Sequence, residues 1–166
     1  GGVNVAAGDI NGDGIDEIIT GPGLGGGPHV RVFNKDGNVI RQFFAFNAES
    51  RGGARVVVGD MNNDVYEEII VAAEGGSSPY VRIFRTTDFT LISEFLAFSP
   101  NFFQGVFMTV GDIDSDGTNE IIAGMGIGGS AQAKIFDFNG NLEKQYSLHI
   151  DSYKGGARVG ILKYHY

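Results

Sequence analysis

The chain has 166 residues, 20 of them acidic against 12 Lys plus Arg, giving a net charge of −8 and a pI near 4.7. That balance excludes the basic face that nucleic-acid binding needs. The absence of cysteine excludes disulfides, thiolate metal sites and cysteine nucleophiles. Gly, at 27 residues, interrupts helices throughout, while thirteen Phe with many Val and Ile keep the chain far from disorder.

The opening Gly1-Gly2-Val3-Asn4 carries no initiator Met, basic stretch or apolar leader, and reads as a mature, excised or truncated chain. Short strands are then predicted over residues 3–7, 17–20, 29–34 and 39–46. The third alternates, with Val30 and Val32 on one face and His29, Arg31 and Phe33 on the other. Gly-rich or Asp-Gly turns separate them, at 21–28 and at Lys35-Asp36-Gly37-Asn38. No helical periodicity is present. The longest uncharged apolar-rich run, 95–111, is too short and too polar to span a bilayer, so no membrane insertion is expected.

The pattern then returns. VAAGDINGDGIDEIITGPG, VVVGDMNNDVYEEIIVAAEG and MTVGDIDSDGTNEIIAGMG align, with Asp9, Asp60 and Asp112 at steps of 51 and 52 residues. Phe33, Phe84 and Phe136 keep the same steps. Such a period marks a repeat architecture, and four strands per unit match a β-propeller blade. The predicted fold is therefore all-β, a single repeat domain over 1–166 with about three blades of four antiparallel strands. The units are 2–54, 55–107 and 108–154, and 155–166 is a partial first strand of a fourth. Gly155-Gly156-Ala157-Arg158-Val159 echoes Gly52-Gly53-Ala54-Arg55-Val56, but Lys163 stands where the fourth Asp belongs. Propellers need 4 to 8 blades to close, so a piece of a larger propeller is expected, with a six-bladed ring of two chains as the alternative. Its open blade faces are expected to carry apolar residues such as Val3, Val5, Phe43, Ile161 and Leu162.

The loop between the first two strands of each unit carries the chemistry. In unit one, Asp9, Asn11, Asp13 and Glu17 place side-chain oxygens at loop positions 1, 3, 5 and 9, with Gly14 at position 6. Ca²⁺ takes 6 to 8 oxygen ligands, and alternate residues of a tight loop converge on it. The Gly allows the sharp turn that makes the Ile15 carbonyl a ligand. Unit three repeats the set as Asp112, Asp114, Asp116, the Thr118 carbonyl and Glu120 around Gly117, and unit two as Asp60, Asn62, Asp64, the Tyr66 carbonyl and Glu68. An EF-hand is excluded, because position 12 holds Thr20 or Ala123 rather than Glu. Solvated acidic turns without metal are the alternative. Half of the 20 acidic residues stand at these loop positions.

On the segments GDINGDGIDEII, GDMNNDVYEEII and GDIDSDGTNEII, followed by GPGLGGGPHVRVF and its copies, the chain resembles the FG-GAP or VCBS-type calcium-binding repeats of integrin α-subunit propellers and of many bacterial surface and secreted proteins. The resemblance implies a propeller whose first hairpin loops hold Ca²⁺. Unit two departs from it: Val65 replaces the Gly, and a β-branched residue resists positive φ. Two strong Ca²⁺ sites and a third, weaker or vacant, are expected.

Other signals point elsewhere. Gly21, Gly23 and Gly26, like Gly124, Gly126 and Gly129, spell GxGxxG, but strands rather than helices follow, which makes them wide turns. His29, His149 and His165 do not repeat and are expected in packing or surface roles. Arg31, Arg82 and Lys134 recur on the third strand as blade-to-blade or surface charges, and the Phe residues are expected in the core. The functional expectation is a non-catalytic, calcium-binding module, secreted or on the cell surface, that serves adhesion or binds a protein or glycan ligand. Extracellular placement follows from the weak affinity of extracellular Ca²⁺ modules, about 10⁻⁴ to 10⁻³ M. The alternatives are the propeller part of a secreted enzyme acting on a polysaccharide or ester, for which the chain offers outside the loops only scattered acids such as Glu49, Glu74, Glu94 and Asp151, or a structural spacer.

Overall fold

The computed structural model describes residues 1–147 and 152–161. His149, Asp151, Leu162, Lys163 and His165, which bear on the expectations above, lie outside them. The described residues form twelve strands in three four-stranded antiparallel sheets. The first sheet contains β1 (Val3–Gly8), β2 (Glu17–Pro22), β3 (His29–Phe33) and β4 (Val39–Phe44), in that order. The second runs β5 (Arg55–Gly59), β6 (Glu68–Ala72), β7 (Tyr80–Phe84) and β8 (Leu91–Leu96). The third runs β9 (Val106–Gly111), β10 (Glu120–Met125), β11 (Gln132–Phe136) and β12 (Leu142–Ser147). These are three propeller blades, as the repeat predicts. Each blade carries a register shift at the same place in its outer pair, at Val32/Phe33, Ile83/Phe84 and Ile135/Phe136.

Two hydrophobic cores lie between consecutive blades. Ile19, Val30, Val32, Ala54, Val56, Ile69 and Val71 fill the first, and Ile70, Val81, Ile83, Val106, Ile121 and Ala123 the second. The middle blade is covered on both faces, so every residue of β6 is buried, whereas β2 alternates because one of its faces is open. Arg82 reaches blade one, donating to the Ala45 carbonyl at 2.7 Å and lying over the Phe46 ring, and Lys134 lies 5.2 Å from the Phe98 ring in blade two. Both are blade-to-blade contacts, as the third-strand repeat suggested. His29 stacks on Phe44.

Two expectations need correction. Phe84, Phe98 and Phe136 are buried, but Phe44 and Phe103 are about half exposed, so the Phe residues are not uniformly core. Phe43, a candidate for an open blade face, instead packs on Phe84 and Phe89 inside the interface between blades one and two.

Residues 156–161 form no strand ladder, yet they sit where a fourth inner strand belongs. Ala157 donates to the Met125 carbonyl just as Ala54 donates to that of Pro22, both at 2.8 Å. Close approach repeats too: a side chain at Gly8 would strike Val58, one at Gly59 would strike Val110, and one at Gly111 would strike Ile161.

Candidate metal centres

Antiparallel pairing of Gly8 with Glu17, Gly59 with Glu68 and Gly111 with Glu120 closes three equivalent hairpin loops at one end of the blades. The opposite end holds the turns between second and third strands and the linkers between blades. In the first loop, Asp9 Oδ1 accepts the Gly12 and Asp13 amides at 2.7 and 3.1 Å, and Oδ2 accepts that of Gly14 at 2.8 Å. These bonds hold the Asp9 carboxyl below its ordinary range, the Gly14 amide contributing most. Asn11 Oδ1 accepts the Asp13 amide, and Asp13 Oδ1 accepts that of Ile15. Loops two and three repeat the scheme: Asp60 accepts from Val65 and Asp64 from Tyr66, while Asp112 accepts from Gly117 and Asp116 from Thr118. Asp116 is lowered chiefly by the Thr118 hydroxyl bonded to it.

The position-9 acids point inward. Glu17, Glu68 and Glu120 are all buried. Glu68 accepts the Met61 amide and the Asn62 side-chain amide, both at 2.9 Å, and Glu120 accepts the Ile113 amide at 2.9 Å. Burial raises Glu17, with Asp13 adding repulsion, and pushes Glu68 up to about 7. Glu17 takes the Asn11 amide at 2.9 Å on Oε1, but its buried Oε2 has no partner.

In loop three, one carboxylate oxygen from each of Asp112, Asp114 and Asp116 lies within 4.8 Å of the others. Loops one and two have Asn11 and Asn62 where loop three has Asp114. Three mutually close carboxylates repel one another unless a cation lies among them. This set, with the orphaned Glu17 oxygen, fits a hard cation better than it fits a self-contained turn. Ile15 and Tyr66 leave their side chains partly exposed, as suits residues that would offer only a carbonyl.

The second loop departs from its sequence expectation. Val65 does adopt positive φ, at 80°, matching Gly14 at 82° and Gly117 at 93°. A second left-handed position escaped the sequence reading: Gly12, Asn63 and Ser115, at position 4, have φ of 77°, 59° and 65°. Asn63 was the available signal, since Asn tolerates this region. Position 8 was also missed. Asn119 donates to the Asp60 carbonyl across the blade junction at 2.8 Å, and its counterpart Glu67 brings a carboxylate oxygen against Gly8 of blade one.

No protein-family model matches the chain. Integrin alpha-8 from Mus musculus is 30% identical over 159 residues, covering 84% of this chain, and the Homo sapiens protein is 28% identical with the same coverage. The chain spans 15% of the length of these relatives. The crystal structure of the exotype rhamnogalacturonan lyase YesX superimposes with a TM-score of 0.66 at 14% identity, covering 91% of this chain and 34% of that one. The fold is thus that of propeller blades, and in sequence the chain is related to the integrin-like propeller repeats.

Proposed function

We propose that this chain is a non-catalytic, calcium-stabilised propeller module outside the cell, with metal at one end of its blades and a ligand-binding face at the other. The observation that carries the metal reading is the donor set itself: three converging carboxylates in loop three and a buried, partnerless Glu17 oxygen in loop one. Every side-chain donor is oxygen, with neither His nor Cys in the loops, which suits Ca²⁺ over the transition metals. Asp9, Asn11, Asp13, Glu17 and the Ile15 carbonyl would hold one ion, and Asp112, Asp114, Asp116, Glu120 and the Thr118 carbonyl another. The ion would neutralise the clustered carboxylates and pin each hairpin. Asp60, Asn62, Asp64, Glu68 and the Tyr66 carbonyl would form the weaker third site, because Val65 must hold a left-handed φ that Gly14 and Gly117 take freely.

The likeness to integrin alpha-8 supports adhesion, and with it a secreted or cell-surface setting with a protein or glycan ligand. No helix among the described residues is long and apolar enough to cross a membrane. The enzyme alternative draws only on fold likeness to a lyase chain. Of the acids outside the loops, Glu74 and Glu94 are tied up in ion pairs with Arg55 and Arg82. The first blade's open face supports a partner of the same kind. Val3 and Val5 are 65% and 63% exposed, while their counterparts Ala54 and Val56 are buried against the neighbouring blade. A further blade, from the parent chain or a second copy, covers that face in this reading.

Calorimetric Ca²⁺ titration tests the proposal. Wild type should show two strong equivalents and a weaker one. Asp13→Ala and Asp116→Ala should each remove one strong equivalent, and Asp64→Ala should leave both. Equal affinity at three sites, or no binding heat, contradicts it.

A further inference from the structure

At the end of the blades away from the metal loops, the inner strands meet around a shared axis. Asn4, Arg55, Phe107 and Arg158 occupy one register position, spaced 51, 52 and 51 residues apart. The glycines two residues before each, Gly2, Gly53, Gly105 and Gly156, all have positive φ, so the four segments enter the axis in the same way. Where Asn4 and Phe107 are uncharged, the other two copies are arginine. Both guanidiniums address one ring: Arg55 lies 4.1 Å and Arg158 5.1 Å from the Phe107 centroid.

The local charge does not cancel. Glu74 stands where the other blades have Gly23 and Gly126, and it neutralises Arg55 through a 2.9 Å ion pair. Its second oxygen is already taken by the Leu24 amide at 2.7 Å. Arg158 has no ion pair among the described residues. Burial, with Arg158 beside it, depresses Arg55 below the ordinary guanidinium value, while Arg158 itself stands exposed at the mouth. This is a local reversal of sign on a chain whose net charge is −8. Two cavities of about 260 and 350 Å³ adjoin here, sharing Arg55 and Phe107 in their walls. The larger opens between Leu24, Phe103 and Ile127, which are 55%, 48% and 66% exposed.

We infer that this axial mouth binds an acidic peptide segment, with one Asp or Glu carboxylate on Arg158 and Arg55 and its apolar neighbours on Leu24, Phe103 and Ile127. A planar guanidinium recognises a carboxylate through paired N–H donors. The apolar rim selects a peptide over an acidic sugar, whose ring hydroxyls would find few polar partners between three large hydrocarbon side chains. This inference rests on the reading of that face as ligand-binding, and is independent of the metal loops at the other end.

The test titrates the full chain with capped pentapeptides, a central Glu flanked by Leu and Phe, each beside its Gln counterpart, and with galacturonate as the sugar arm. Calorimetry measures affinity, and guanidinium NMR signals report the site. The Glu peptides should bind about tenfold more tightly than the Gln peptides, since only a carboxylate makes the charge-assisted pair. Arg158→Ala, an exposed change, should remove that preference, and Arg158→Lys should restore part of it. Equal binding of Glu and Gln peptides, no peptide binding, or a preference untouched by Arg158→Ala overturns the inference. Galacturonate shifting the Arg158 signal without any peptide binding assigns the mouth to glycans and also overturns it. Melting with and without Ca²⁺, run on the same samples, separates failure here from failure of the calcium reading.

Discussion

Val65 holds φ at 80°, a conformation its glycine counterparts in the other loops take freely, and its side chain is 76% exposed. Strain at a non-glycine left-handed residue costs about 1–3 kcal/mol, while glycine costs about 0.5–1 kcal/mol in unfolded-state entropy. Val65→Gly should therefore stabilise the protein by about 1 kcal/mol in urea unfolding and tighten Ca²⁺ binding at the proposed second site; a loss of stability contradicts the strain argument. Glu68 gives a pH signature. Its carboxyl titrates near 4.5 when unfolded and is pushed up to about 7 by burial. Below 4.5 both states hold the proton and this group exacts no penalty. Between 4.5 and 7 the unfolded chain ionises first, so metal-free stability should fall as pH rises through that window. Glu68→Gln should flatten the fall, and a metal-free stability that rises over the window instead would contradict the burial assignment. The acid at position 9 was legible from its spacing; its burial was not, because that depends on the neighbouring blade.

At the scale of the blade, strand positions were legible almost to the residue, because alternation and Gly-rich turns repeat three times. What the sequence hid lies in the junctions. Phe43 reads as an edge residue in its own blade, but the next blade places Phe84 and Phe89 against it. The junctions also explain much of the glycine content. Gly105 has φ 84°, and a side chain there would come within 1.8 Å of the Glu74 carbonyl oxygen. Gly105→Ala should thus cost at least ~2 kcal/mol, from left-handed strain together with displaced backbone. An unchanged denaturation midpoint would show that the linkers between blades are looser than this packing requires.

Across the whole molecule, the same repeat is covered on one side and bare on the other. Ile18 is 43% exposed on blade one, while Ile69 and Ile121, its counterparts, are fully buried. Arg31 is exposed, whereas Arg82 and Lys134 each cap a phenylalanine of the preceding blade. Large apolar patches are uncommon on stable monomers, so the chain should self-associate at micromolar concentration in sedimentation experiments. Val5→Lys should weaken that association, and a monomer at all concentrations would contradict the reading of this face as a blade interface. The architecture was legible from the period alone; how many blades surround the axis was not, since each repeat specifies only its neighbour contacts. The central claim is that calcium in the hairpin loops stabilises these blades, and reversible thermal melting tests it most directly. A ligand bound only by the folded state at ten times its Kd adds about 1.4 kcal/mol per site, so millimolar Ca²⁺ should raise the melting temperature by several degrees, EDTA should lower it, and Asp116→Ala should shrink the difference. A melting curve that neither Ca²⁺ nor EDTA moves would contradict the account.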